Sequence, residues 1–251
     1  MTVLQGVGLV AVGALASGIN AVAGGGSLLS FPYLLGLGLP AIPANATNSV
    51  GLWPGSLAGG LGFIKRFGQT RKYLPAMIPP TIVGSVLGAI LLLNTPSKTF
   101  TKVIPFLILL AAVLLLLQPR VKAMVGGRAL PVWAAPVLQL LVALYGGFFG
   151  AGMGIMMLAL FALTMEGDVH ELNAVKNWLS LVINFVCSAV FLVKRLVLPF
   201  EGGLLVVGSL IGGYAAARFS QRFDPNRLRL VIAVYGLGAA AWFFWRAFGT
   251  G

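Results

Sequence analysis

Asn20-Ala21-Val22-Ala23-Gly24-Gly25-Gly26-Ser27 lies inside one apolar stretch, and Gly146-Gly147-Phe148-Phe149-Gly150-Ala151-Gly152-Met153-Gly154 lies inside another. Consecutive glycines admit dihedrals that interrupt a helix at little steric cost. In hydrocarbon, the main-chain groups so freed must be satisfied by protein or by a watered cavity. The surrounding composition is that of membrane sequence. No formal charge occurs before Lys65, 59% of the 251 residues are hydrophobic and 9% are charged, against about 25% charged in a soluble domain. A soluble globular enzyme is excluded, and the bilayer is the solvent that fits.

Outward from the two glycine clusters, uncharged runs near 3–23, 44–64, 74–94, 101–118, 131–151, 172–193, 197–217 and 228–246 each approach the roughly 20 residues that cross a hydrocarbon core about 30 Å thick. Apolar pieces near 27–38 and 155–165 are too short to cross and follow the glycine clusters directly. They read as half-helices or re-entrant arms. The fold class is an all-α polytopic membrane protein.

The landmarks of the first half recur in order in the second. Gly24, Gly26, Asn45 and Ala46 are matched by Gly152, Gly154, Asn173 and Ala174, and Asn48, Lys65 and Arg66 by Asn177, Lys194 and Arg195. Pro75 and Gly84-Ser85-Val86-Leu87-Gly88 correspond to Pro199 and Gly208-Ser209-Leu210-Ile211-Gly212. The chain therefore reads as two homologous repeats, residues 1–125 and 126–251, each of about four helices with a glycine-broken or re-entrant segment. That organisation is common in secondary transporters. If the broken segment makes the crossing number of each repeat odd, the second repeat is inverted. Inversion also gathers more of the 17 basic residues on one side, as the positive-inside rule favours. Lys194 and Arg195 are its exceptions.

The net charge of +12 fits short basic membrane loops. No solvated basic face with stacking groups is evident, so nucleic acid is not expected as a partner. The single Cys187 permits no internal disulfide or multi-cysteine metal site. MTVLQGVGLV lacks the basic start of a secretory signal and reads as a retained membrane segment.

A helix that restarts after a break offers unpaired N–H groups and the positive end of its dipole, and such an end binds anions. Two breaks brought together would form a midplane pocket lined by amides, by Ser27 and by Asn20. Asn45, Thr47 and Asn48, with their counterparts Asn173, Lys176 and Asn177, add polar groups at helical spacing. Asn45 and Asn173 read either as pocket donors or as helix caps, Lys176 either as a pocket cation or as a snorkelling side chain, and Asn184 either as inter-helical glue or as path lining. Gly84, Gly88, Gly208 and Gly212 read as close-packing positions, within one chain or between copies in a homo-oligomer. His170 with Glu166, Asp168 and Glu171 reads as a surface loop rather than a proton gate.

The glycine break, the Leu39-Pro40 and Ala44-Asn45-Ala46-Thr47-Asn48 helix start, the Lys65-Arg66 loop and the repeated Gly-Ser-x-x-Gly helix resemble the TauE/SafE family of sulfite exporters across essentially the whole chain. The resemblance implies a transporter of about eight spans in the inner membrane, moving sulfite, sulfoacetate or another sulfur-containing or organic anion. The motif carries over to Gly24, Gly25, Gly26 and Ser27, and to Gly150, Gly152 and Gly154. Met153 interrupts the second glycine run and Ile155 stands where serine would be, so the halves are not expected to contribute equally.

The expected function is thus secondary transport of a small anion, with a passive anion channel or lipid scramblase as the alternative. An integral-membrane enzyme lacks the acid/base or metal cluster that catalysis at depth would need, and no enzyme activity is expected. No P-loop is present, so ATP-driven pumping by this chain is not expected. No cofactor and no metal are expected, and the expected partners are the anion and the bilayer.

Overall fold

A computed structural model describes residues 1–22, 25–62, 68–124, 130, 131, 133–219 and 225–249. Gly24, Lys65, Arg66, Arg222 and Asp224 lie outside the described residues, as do the side chains of His170, Arg218, Arg227 and Arg229.

Among the described residues the elements are helices α1 (Val3–Val22), α2 (Ser27–Gly36), α3 (Ala41–Gly62), α4 (Leu74–Asn94), α5 (Ser97–Ala123), α6 (Ala134–Phe148), α7 (Met153–Thr164), α8 (Val169–Val193), α9 (Pro199–Phe219) and α10 (Pro225–Phe248), with a 3-10 turn at Gly68–Tyr73. The chain is all-helical and multi-pass. Helices α1, α4, α5, α8 and α10 each contain a stretch long and apolar enough to cross a membrane. Large apolar side chains such as Ile82, Val83, Phe106, Leu109, Val207 and Leu210 stand exposed on the outside. In a bilayer that face needs no further cover.

Both short arms double back. The hydroxyl of Tyr33 on α2 donates to the carbonyl of Gln5 near the start of α1 at 3.2 Å. Likewise the Leu130 amide, ahead of α6, donates to the carbonyl of Leu163 at the end of α7 at 3.0 Å. Each break is thus the tip of a helical hairpin whose return arm has 10 residues in α2 and 12 in α7.

The halves interlock. Helix α1 packs on α9, α4 on α6, α3 on α8 and α9, and α5 on α10. Helices α5 and α10 run antiparallel, since Phe106 meets Phe244 at 4.7 Å while Ala112 lies beside Gly236. The glycine pairs set the closest approaches. A Cβ at Gly84 or Gly88 would strike the carbonyl oxygens of Leu140 and Leu144 on α6, and one at Gly208 or Gly212 those of Val10 and Ala14 on α1. These four glycines pack helices within the chain. A small-residue seam of this kind lets two backbones touch where lipid gives no hydrophobic drive.

At one membrane face the 3-10 turn meets the α7–α8 loop. Lys72 pairs with Glu166 at 3.8 Å, and the Glu166 amide donates to the Tyr73 hydroxyl at 3.3 Å. Asp168 and Glu171 form a reciprocal cap on α8, each side chain accepting the other's amide at 2.8 and 2.9 Å. This is the capping box, which satisfies two orphan donors at once.

Candidate functional site

Both breaks exist because glycine takes dihedrals that other residues avoid. Between α1 and α2, Gly25 has φ +91°; between α6 and α7, Gly150 has φ +83° and Gly152 +81°. A side chain in this left-handed region costs roughly 1–2 kcal/mol per residue. Glycine lets the chain reverse at both tips without that strain.

Nearby polar side chains hold the tips. Asn20 Oδ1 accepts the amide of Gly26 at 2.6 Å, and the Tyr145 hydroxyl donates to the carbonyl of Ala151 at 2.6 Å. Each break is also braced from the other half. Asn45 Nδ2 on α3 donates to the carbonyl of Phe148 at 3.1 Å, and Lys176 Nζ on α8 donates to that of Asn20 at 3.5 Å. Phe149, at the second tip, packs edge-on against Phe31 of α2 with ring centroids 5.2 Å apart.

Between the breaks lies a polar cavity. Its walls are Asn20, Gly25 and Ser27 from the first hairpin, Phe149, Gly150, Met153 and Gly154 from the second, Asn48, Ser49, Leu52 and Ser56 from α3, and Lys176, Asn177, Ser180 and Asn184 from α8. It offers about 40 Å³ to the centres of water-sized molecules, where one water needs roughly 10–15 Å³. Several waters or one small solute fit. Among the described residues Lys176 is the only charged one in the walls, and none is acidic. Lys176 is 1% exposed and Asn177 6%. Asn177 Nδ2 is buried with no hydrogen-bond partner among the described residues. A buried donor left unmade costs about 1–3 kcal/mol, and a ligand with an acceptor oxygen would recover it.

Of the residues expected from the sequence, Asn20, Gly25, Ser27, Asn48, Gly150, Gly154, Lys176 and Asn177 meet at this cavity. Gly24 is outside the described residues, and the remaining ones lie behind the cavity. The Gly26 amide is already taken by Asn20, and a Cβ at Gly26 would strike the carbonyl of Ala16. Gly152 caps α7 against Ala111 of α5. Thr47 is fully buried, and its hydroxyl accepts the Leu198 amide at 2.9 Å ahead of α9. Asn45 holds Phe148. The Asn173 side chain is buried, with Oδ1 unpaired among the described residues. Asn45 and Asn173 sit inside α3 and α8 rather than at their ends, which removes the helix-cap alternative for both. The picture of bare amides facing the solute is therefore narrowed at the first break. The amides of Leu28 and Leu29 bond back to the carbonyls of Gly25 and Gly26.

Ser49, Ser56 and Ser180 were not singled out from the sequence. A signal existed: Asn173, Asn177, Ser180, Asn184 and Ser188 recur at steps of three and four along α8, the spacing of one helix face. Asn184 serves both readings left open for it, lining the cavity and donating to Ser56 at 3.5 Å.

The family model for "Sulfite exporter TauE/SafE" matches residues 9–243. The chain belongs to the TauE/SafE family. Among curated proteins, a "Probable membrane transporter protein" of Haemophilus influenzae is 28% identical over 90% of this chain and 89% of its own length. A "Probable membrane transporter protein ORF9" of Sinorhizobium sp is 25% identical, with 90% and 87% covered. "Probable membrane transporter protein YfcA" of Escherichia coli K12 is also 25% identical, with 89% and 83% covered. No solved structure matches the chain. This TauE/SafE member is a multi-pass membrane transporter.

Proposed function

We propose that this TauE/SafE protein is a secondary carrier of a small oxyanion, sulfite or an organosulfonate, in the inner membrane. One observation carries the reading: among the described residues, the cavity between the two hairpins has Lys176 as its sole charged wall and Asn177 Nδ2 as a buried donor without a partner. A carboxylate-free cavity with one cation and spare donors favours a negatively charged, oxygen-bearing solute. The family description, sulfite exporter, supports the same chemistry. The two halves act as inverted repeats about this site. The antiparallel α5 and α10 and the crossed braces from Asn45 and Lys176 support that arrangement, and rocking of one half against the other would expose the cavity alternately.

The test is uptake and release of radiolabelled sulfite and of sulfonates in proteoliposomes holding the purified chain. Saturable flux of one of these, with counterflow by the unlabelled anion, is the expected result. Flux that never saturates would replace the carrier by a channel, and absence of flux for every sulfur oxyanion tested would overturn the substrate class.

A further inference from the structure

Carriers built on broken helices coordinate a coupling cation at half-helix C-terminal ends and unwound carbonyls, where the dipole is negative. Here several of the carbonyls around the two breaks already have donors. At the first break, Asn20 O accepts from Lys176 Nζ at 3.5 Å, while Gly25 O and Gly26 O accept from the amides of Leu28 and Leu29 at 3.0 and 2.9 Å. At the second, Tyr145 O accepts from the amides of Phe149 and Gly150 and Gly150 O from that of Met153. Phe148 O accepts from Asn45 and Ala151 O from the Tyr145 hydroxyl. The cross-half donor is an ammonium at one break and a neutral amide at the other. Lys176 also belongs to a cavity wall, so one lysine stands both at the C-terminal end of α1 and at the space for the solute.

We infer that Lys176 is a tethered counter-cation: it occupies the end of α1 that Na⁺ would take in a broken-helix carrier, supplies the charge that holds the anion, and frees transport from sodium. The inference rests on the reading of the cavity as an anion site. A cation attached to the chain need not be captured afresh in each cycle and does not leave with the solute. The net charge moved per turnover is then the anion's own. Asn45 does the same bracing in the other half without charge, which makes the site asymmetric although the hairpins are alike.

Two readouts test this on the full-length protein. Thermal unfolding in detergent is measured in NaCl and in choline chloride at equal ionic strength, and sulfite flux is measured in proteoliposomes with and without a Na⁺ gradient. The wild type is expected to unfold at the same temperature in both salts and to transport at the same rate with either cation. Lys176→Ala vacates the position and is expected to lose flux by about tenfold or more, while Na⁺ raises its unfolding temperature by roughly 2–4 °C over choline. Lys176→Arg keeps the charge and is expected to stay indifferent to Na⁺, which serves as the reading if the alanine variant does not fold. A Na⁺-specific shift or Na⁺-driven flux in the wild type overturns the inference, as does an alanine variant that folds and ignores Na⁺. Absence of flux in the wild type for every sulfur oxyanion overturns the substrate reading instead, and the unfolding temperatures still judge the cation position.

Discussion

Asn45 Nδ2 donates to the carbonyl oxygen of Phe148, 3.1 Å away, and so ties α3 of the first half to the last turn of α6 in the second. The amide nitrogen is spent on holding the second hairpin rather than on a solute. Inter-helical hydrogen bonds in membranes are worth about 0.6 kcal/mol on average and up to about 1.7. Asn45→Leu should therefore lower stability by an amount in that range, read as a lower unfolding temperature in detergent. An unchanged temperature would mean that the brace carries no energy.

Asn177 should behave in the opposite way. Its Nδ2 has no partner among the described residues, and replacing a buried unsatisfied amide by a similar-sized apolar group can be neutral or stabilising. Asn177→Leu is expected to unfold at the wild-type temperature or above while apparent affinity for the transported anion falls by about tenfold, the equivalent of roughly 1.4 kcal/mol. Loss of stability with affinity intact would return Asn177 to a structural role.

Thr47 separates packing from recognition. Its hydroxyl caps the Leu198 amide, and losing a cap costs typically about 1 kcal/mol. Thr47→Val should destabilise by about that much and leave the half-saturating anion concentration where it was. A flux titration alongside a melting curve distinguishes the two effects.

The glycines predict a graded series. A Cβ at Gly88 or Gly212 meets backbone of the neighbouring helix, whereas one at Gly203 or Gly238 meets nothing within 4 Å. Gly88→Leu and Gly212→Leu should abolish monodisperse protein on gel filtration, and Gly203→Ala and Gly238→Ala should be silent. At the first tip, Gly26→Ala should destabilise more than Gly25→Ala. The former strikes the carbonyl of Ala16, while the latter meets Leu115 and Leu28 methyls no closer than 3.5 Å, ordinary contact, and carries backbone strain alone.

The course of α5 and α10 predicts sidedness. Thr101 near the start of α5 and Arg246 near the end of α10 line one pocket, whereas Lys72 precedes α4, one crossing away from the start of α5. A membrane-impermeant maleimide should label Lys98→Cys and Arg246→Cys from the same side and Lys72→Cys from the other. Labelling of Lys98→Cys and Arg246→Cys from opposite sides would break the antiparallel arrangement.

Much of the architecture was legible in the residues taken in order. The uncharged runs mark the helices, because a bilayer admits only segments that satisfy their own backbone, and the expected short arms near 27–38 and 155–165 are α2 and α7. The breaks were legible too, since only glycine relieves the chain at Gly25, Gly150 and Gly152. Even the polar stripe of α8 is written at helical spacing.

Which of those polar groups face one another was decided by the tertiary structure. A one-dimensional pattern gives the face of a helix but not its neighbour, so Asn45 and Asn48, three residues apart, part company: Asn45 reaches across to Phe148, and Asn48 turns to the cavity and to Ser30, 2.5 Å away. Only the crossing of α3 and α8 over the two hairpins could place Lys176 beside Asn20, because that contact joins residues far apart in the chain through packing, and packing depends on every glycine that lets two backbones touch.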